Sequence, residues 1–423
     1  MTVAEDGNRT SGDRVESAAA VIEPSLPLGQ NASGEPRASI FAPGELDSVR
    51  DSLPAGGVVA VAMSGGVDSS VAAALCHAAG VETIGVTMRL WGTEEMEQGE
   101  GGCCSVDAVE DARRVCSRLG IAHYVLNMRE HFQATVVADF LAEYEGGRTP
   151  NPCVRCNETV KFSELLRRVG AVGATHLATG HYAAIRRGPT GHFSLCRGRD
   201  PRKDQSYTLY RCDQFVLART VLPLGELEKP RVRELAAALG LGVAQKPDSQ
   251  ELCFVGGGDH RAVLEQSLSG SFSPGAVRDL SGSVVGRHHG LPFYTVGQRQ
   301  GLGLAVTRPD SEPLYVVELD QGRNALVVGP WRALLRPGCR VARCVFPAGQ
   351  TPAALVRGQA QLRAHGRPVG ATWRSTGPDT AEVRFDEPQA GVAPGQSLVL
   401  YDGERVVAGG EVATSMSMKD EMA

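Results

Sequence analysis

The pattern of apolar and polar positions changes character twice along the chain. Residues 1 to about 55 are rich in Gly, Ser, Pro, Ala and Glu with no sustained apolar period, which predicts a disordered tail. A new pattern starts at Val58. The run Val58-Val59-Ala60-Val61-Ala62-Met63 predicts a buried strand leading into a Gly-rich turn. A helix is predicted from about Ser69 to Ala79, stopping at Gly80, and then a strand from Thr83 to Met88. Ser105 can cap a helix running to Leu119, with a strand near His123 to Leu126 and a helix over about Glu130 to Tyr144. Such strand–helix alternation predicts an α/β unit with a parallel sheet covered on both faces.

The last third reads differently. Short runs at Pro313 to Leu319, Arg340 to Phe346, Ala371 to Arg374 and Ala381 to Phe385 are separated by Gly, Pro and Asp turns. Asp402-Gly403 sits between Leu398-Val399-Leu400-Tyr401 and Arg405-Val406-Val407, a hairpin signature. This region predicts a small antiparallel barrel. The resulting division is a tail at 1–55, a catalytic unit at 56–258, a central linking unit at 259–330 and a C-terminal barrel at 331–416.

Composition changes this picture little. The chain has 423 residues, enough for two or three domains, and no apolar run of 18 residues that could span a membrane. No basic start with an apolar stretch marks a signal peptide, so the expected compartment is the cytoplasm. Eleven cysteines in a reducing compartment read as core packing, metal ligands or catalysts rather than a structural disulfide frame. The net charge of −5 lies in residues 1–57, which hold nine Asp/Glu and four Arg, and leaves a neutral body. Neutrality neither supports nor excludes an RNA partner, which needs only a local basic surface.

The candidate chemistry begins at Ser64-Gly65-Gly66-Val67-Asp68-Ser69-Ser70, between the first strand and its helix. Glycines admit a phosphate close to the backbone, and the N–H groups of a first helical turn favour an anion. Asp68 could hold Mg²⁺ on a pyrophosphate. A tight turn with a helix cap explains the Gly and Ser but not the whole string. The Lys-Ser/Thr pair of a Walker loop and the Gly-x-Gly-x-x-Gly signature are both missing. The string resembles the pyrophosphate loop of N-type ATP pyrophosphatases, the adenine-nucleotide alpha-hydrolase-like (PP-loop) fold class. That resemblance implies adenylation of a substrate oxygen by ATP.

Further stretches narrow the resemblance. They are Gly147-Arg148-Thr149-Pro150-Asn151-Pro152-Cys153-Val154-Arg155-Cys156-Asn157, Ala178-Thr179-Gly180-His181-Tyr182, Lys203-Asp204-Gln205-Ser206-Tyr207, Pro247-Asp248-Ser249-Gln250-Glu251-Leu252-Cys253-Phe254 and Gly297-Gln298-Arg299-Gln300-Gly301-Leu302-Gly303. Together they resemble the tRNA-specific 2-thiouridylase family from about Val58 to near the C-terminus. The resemblance implies ATP and Mg²⁺ as cofactors, the wobble uridine in a tRNA anticodon loop as substrate, and a cysteine desulfurase or relay protein as sulfur donor. It implies Cys253 as persulfide carrier and Cys156 as nucleophile, joined transiently as a disulfide. ATP contacts are implied at Ala62, Met63, Ser64, Gly65, Gly66, Val67, Asp68, Ser69, Met88 and Gly180. Contacts to tRNA are implied at Asn151, Pro152, Cys153, His181, Lys203, Asp204, Gln205, Arg363 and Gln396. Blander alternatives are a core Met88, a turn Gly180 and a structural His181.

One departure matters. Many relatives have Asp where this chain has Cys153, so the acid–base role of that Asp is not carried over. Cys153, Cys156 and Cys253 instead form a candidate three-thiolate set for a [4Fe–4S] cluster, ranked behind persulfide chemistry. Cys76, Cys116, Cys196, Cys212, Cys339 and Cys344 read as small buried hydrophobes; Cys103-Cys104 stays undecided. Two competing readings remain: a PP-loop synthetase or amidotransferase acting on a small molecule, which would need neither Cys156 nor Cys253, and a non-catalytic RNA-binding protein, which leaves the phosphate loop unexplained.

Overall fold

The computed structural model describes residues 40–53, 56–91, 106–248, 253–255, 260–268, 272–304, 312–351 and 355–417. Ten helices recur below: α1 (Pro43–Arg50), α2 (Val67–Ala78), α3 (Val106–Leu119), α4 (Arg129–Phe132), α5 (Ala138–Glu145), α6 (Pro152–Cys156), α7 (Leu166–Ala171), α8 (Gln214–Leu217), α9 (Lys229–Ala238) and α10 (His260–Ser267). Wider π-helical turns join α4 to α5 and α6 to α7.

The strands β1 (Val58–Ala62), β2 (Glu82–Arg89), β3 (Ala122–Asn127), β4 (His176–Ala178) and β7 (Thr220–Val221) form a sheet of order β3-β2-β1-β4-β7. Every pairing in it is parallel. Strand periodicity sends alternate side chains to opposite faces. Val59 and Val61 accordingly join α2, α3 and α9 in one core, while Ala60 faces Phe132, Phe140 and Val160 in another. Both faces are therefore covered, as the alternation predicts. The order reverses at β1, with β2 on one side and β4 on the other, and such a switch point opens a crevice at the carboxyl edge of the strands.

The tail prediction fails at its end. Residues 43–50 form α1, which buries Leu46 and Val49 with Phe41 against the α2–α9 core. Arg231 on α9 donates to Glu45 Oε1 at 2.8 Å. With Ile40 and Leu53 only five apolar positions carry this docking, too few to stand out among Pro, Gly and Ser. Residues 1–39 lie outside the described residues.

β8 (Gly275–Arg278), β9 (Val284–His288), β10 (Tyr315–Asp320) and β11 (Ala325–Gly329) make a separate four-stranded sheet, order β10-β11-β8-β9. The run at Pro313 to Leu319 thus belongs to this middle unit and not to the barrel. β12 (Arg336–Val345), β13 (Leu355–Gln361), β14 (Val369–Ser375), β15 (Ala381–Gln389), β16 (Ser397–Asp402) and β17 (Arg405–Ser415) close into a six-stranded antiparallel barrel through β12–β17 pairing. Trp373 is fully buried at its centre. The hairpin of β5 (Ala183–Arg187) and β6 (Phe193–Arg197) extends the barrel sheet, with Cys196 opposite Arg405. The N-terminal unit is thereby tied to the barrel by backbone pairing that its sequence did not announce.

Candidate active site at the carboxyl edge of the parallel sheet

Ser64 to Ser70 leaves β1 at the switch point and enters α2. Gly65 has φ +68° and lies so close to the backbone of Ala108 that a Cβ would collide with it. The Ser64 N–H donates to Ser69 Oγ at 3.1 Å, while the hydroxyls of Ser69 and Ser70 donate to Gly66 O at 3.2 and 2.8 Å. These short bonds hold the start of α2 open toward the crevice, where its N–H groups can meet an anion. Gly180 lies two residues past the end of β4; a Cβ there would sit 2.7 Å from Ser69 N. Ala62 ends β1, Met63 follows it, and the half-buried Met88 lies near the end of β2. The residues expected to hold ATP therefore share one edge.

Around this loop the structure gathers cations of which the sequence reading named only Lys203, and that as an RNA contact. Lys229 Nζ donates to both carboxylate oxygens of Asp68, at 2.7 and 2.8 Å, and reaches Asp248 Oδ1 at 2.8 Å. Tyr182 Oη donates to Asp68 Oδ1 at 2.7 Å. Lys203 Nζ donates to Asp248 Oδ2 at 2.7 Å, and Arg233 to Asp248 Oδ1 at 2.9 Å. Lys246 Nζ donates to Gly65 O and to Asp111, at 3.1 and 2.8 Å. Burial pushes the Asp248 carboxyl up, but Lys203 and Lys229 outweigh it and hold the group below its ordinary range. Four cations against Asp68, Asp111 and Asp248, beside a helix N-terminus, suit a polyphosphate. Asp68, Lys203 and Asp248 lay in stretches singled out for other roles; nothing in the sequence marked Lys229, Arg233 or Lys246.

The cysteine side is built from distant segments. Asn151 caps α6 by accepting from Val154 N at 3.3 Å, which fixes the helix carrying Cys153 and Cys156. Cys153 is exposed and Cys156 buried. Arg155 between them pairs with Asp139 and with Glu158 at 3.0 Å, and Arg211 joins Glu158 to Glu411 of β17, at 2.7 and 3.7 Å. The barrel also grips the approach to α6: Gln396 Nε2 donates to Thr149 O at 3.0 Å, and the Thr149 N–H to Pro394 O at 2.8 Å. Cys253 is half-buried against the core that contains Cys156. The next residue, Phe254, sets its ring 5.1 to 6.1 Å from those of Trp91, Phe132 and Phe140.

Several expected RNA contacts are recast. Asp204 is buried, and its carboxylate accepts from Arg197, Gly198 N–H, Ser206 N–H and Ser206 Oγ at 2.8 to 3.1 Å. These four bonds tie it into the fold. Gln205 is engaged with the Tyr182 backbone through both its side chain and its N–H. His181 bonds Thr179 Oγ1 through Nδ1 at 2.8 Å, and desolvation, helped by Lys161, pushes its pKa well below the ordinary value, so the ring is neutral. Arg197 sets its guanidinium carbon 3.6 Å from the Tyr401 ring centre. Arg199, Arg202 and Arg363 remain exposed.

Cys76, Cys116, Cys196, Cys212, Cys339 and Cys344 are all buried, as small hydrophobes should be. Burial pushes the Cys76 and Cys116 thiols up to about 12. Cys103 and Cys104 lie outside the described residues. Among the described residues no group of three His, Cys, Asp or Glu could hold a metal ion. Cys153, Cys156 and Cys253 are all described, so the three-thiolate set does not fit this structure. Mg²⁺ takes most of its ligands from phosphates and water and would ask one oxygen of Asp68, whose carboxylate here accepts from Lys229 and Tyr182.

A parallel sheet with a Ser-Gly-Gly-Val-Asp-Ser loop at its switch point, a cation cluster beside it and a six-stranded barrel define the PP-loop, ATP-dependent class. The chain matches family models described as tRNA methyl transferase HUP domain over residues 57–257, tRNA methyl transferase PRC-barrel domain over 261–330 and aminomethyltransferase beta-barrel domain over 336–412. It is 46% identical over 370 residues to the tRNA-specific 2-thiouridylase MnmA of Roseiflexus castenholzii, covering 84% of this chain and 99% of that one. It is 47% identical over 368 residues to the protein of the same name from Heliobacterium modesticaldum, covering 85% and 94%. The chain belongs to the tRNA-specific 2-thiouridylase family. The methyl transfer in two model descriptions is a different chemistry, and near-full-length identity to thiouridylases decides between them.

Proposed function

We propose that this chain is an ATP-dependent tRNA-uridine 2-sulfurtransferase acting on the wobble uridine of an anticodon loop. The uracil C2 carbonyl is a poor electrophile with a poor leaving oxygen. Transfer of AMP from ATP to that oxygen releases pyrophosphate and makes the oxygen leave as part of AMP. The N–H groups at Gly66 to Ser69, with Lys229 and Lys246 nearby, would take the phosphates. Mg²⁺ on Asp68 would neutralise phosphate charge.

In our reading Cys253 carries the terminal sulfur as a persulfide, loaded by an upstream desulfurase or relay protein. The Cys156 thiolate attacks the Cys253 sulfur, forming a Cys156–Cys253 disulfide and expelling hydrosulfide, which adds at C2 as AMP departs. In the alternative order the persulfide attacks C2 first and Cys156 then cleaves the sulfur–sulfur bond. Both orders end in 2-thiouridine, AMP and one disulfide, which an external thiol must reduce. The cytoplasm supplies such thiols. No helix among the described residues is long and apolar enough to cross a membrane. Asn151, Pro152 and Cys153 would lie beside the flipped base, and Lys203, Arg363 and the barrel would meet the tRNA backbone. The units 56–258, 259–330 and 331–416 divide catalysis, linkage and tRNA contact.

One observation supports this reading above others: Lys229 joins the phosphate loop at Asp68 to Asp248, five residues before Cys253. A small-molecule synthetase has no use for that link. The test is thionucleoside analysis of bulk tRNA from cells lacking the protein. The wobble 2-thiouridine should disappear; unchanged levels would rule the function out.

A further inference from the structure

Lys229 is the one ammonium that touches both halves of the site described above. Its side chain is only 10% exposed, and its own backbone N–H donates to Asp200 Oδ2 at 3.1 Å, so the start of α9 is fixed. From there Nζ bonds Asp68 on the phosphate loop and Asp248 on the segment leading to Cys253. Asp248 is the opposite anchor, with Lys203 and Arg233 as its further cations.

Chain length gives this anchor its consequence. Five residues span at most about 16–18 Å, so a pinned Asp248 confines Cys253 to that distance from Asp248 itself. Phe254 holds the far end through apolar ring contacts that have no charge to respond with. The Asp248 end is ionic. A phosphate arriving at the start of α2 competes with Asp68 and Asp248 for the Lys229 ammonium, because all three are anions sharing one cation. Occupancy of the loop is thereby felt at the base of the sulfur-carrying segment.

We propose that Asp248 is a positioning residue that, through the phosphate-binding Lys229, couples nucleotide occupancy of the phosphate loop to placement of Cys253. The inference rests on the proposed sulfur transfer. Asp248 touches no reacting atom; its effect is on whether sulfur arrives before water does. An adenylated uridine that misses its sulfur is hydrolysed, water restoring the oxygen and releasing AMP.

The experiment is a single turnover of sulfur-loaded, full-length protein with tRNA, ATP and Mg²⁺, read as AMP released per 2-thiouridine formed. For Asp248→Asn the ratio should rise about tenfold over wild type, a ~1.4 kcal/mol loss of coupling. A merely structural role would slow both products together and leave the ratio unchanged, which would overturn the proposal. Should Asp248→Asn fail to fold, Lys203→Met removes one of the three cations on Asp248. That variant should raise the ratio by about threefold, ~0.7 kcal/mol, and a wild-type ratio would overturn the coupling equally. Wild-type protein that yields no 2-thiouridine contradicts the sulfur transfer itself, whereas wild-type product with unchanged variant ratios contradicts only the coupling.

Discussion

The phosphate loop and the cysteine helix are positioned by opposite means. Ser64, Ser69, Ser70 and Gly66 bond one another across three to five residues of chain. The helix carrying Cys153 and Cys156 depends on partners far away: Asn157 donates to Thr208 O across 51 residues, and Gln396 to Thr149 O across 247. A local cradle needs only its own sequence. A distributed one needs distant parts of the fold, including the barrel that holds Thr149.

That contrast can be broken first at the chemistry. Cys253→Ser should abolish thiolated product while tRNA-dependent ATP consumption continues, measured as AMP release. Product from that variant would remove the carrier assignment. Gly180→Val places a side chain against Ser69 N, so ATP consumption should fall about 100-fold, the cost of an ångström-scale displacement at a reacting centre. An unaffected rate would mean the start of α2 does not hold the phosphates.

The distributed half is sharpened by Arg211→Met, which leaves Glu158 and Glu411 without their shared partner. We expect a loss of about 2–3 kcal/mol in chemical denaturation, the lower side for a broken buried pair because both acids keep some exposure. Its effect on thiolation should exceed its effect on ATP consumption. Glu411 is held above the ordinary carboxylate range by desolvation, against the pull of Arg343 and Arg211. A raised folded pKa means its contribution is present at low pH and lost as pH rises through that value, so this cluster favours mild acid. Leu46→Ala should cost about 2 kcal/mol by thermal or chemical unfolding, since α1 is docked and not a tail. The smallest effect is chemical: at pH 8.5 a haloacetamide should label exposed Cys153 rapidly, while Cys76 and Cys116, pushed up to about 12, stay almost wholly protonated and silent.

How much was readable in the sequence follows the same division. The Ser64 to Ser70 turn and the parallel sheet were legible because strand runs, glycines and cap residues act on their neighbours, whereas Gly180 was singled out only by the resemblance. Helix α2 begins at Val67 rather than Ser69, a shift of the kind that end positions always invite. Lys229, Arg233 and Lys246 were not legible, because a lysine in an amphipathic stretch looks solvated until the fold turns it toward Asp68 or Gly65. Asp204 came forward only as an RNA contact implied by the resemblance; its burial beneath four donors had no mark in the sequence. The β5–β6 hairpin carried no mark that its edge would meet β17. Long-range pairing leaves little trace in single-residue patterns.

The central claim is that ATP makes the C2 oxygen expendable so that a protein-held sulfur can replace it. Sulfur-loaded protein incubated with tRNA and Mg²⁺, with or without ATP, tests it by mass spectrometry of the nucleosides and by AMP release. The account predicts 2-thiouridine and AMP together, and neither when nucleotide is omitted. Equal conversion without nucleotide would contradict it.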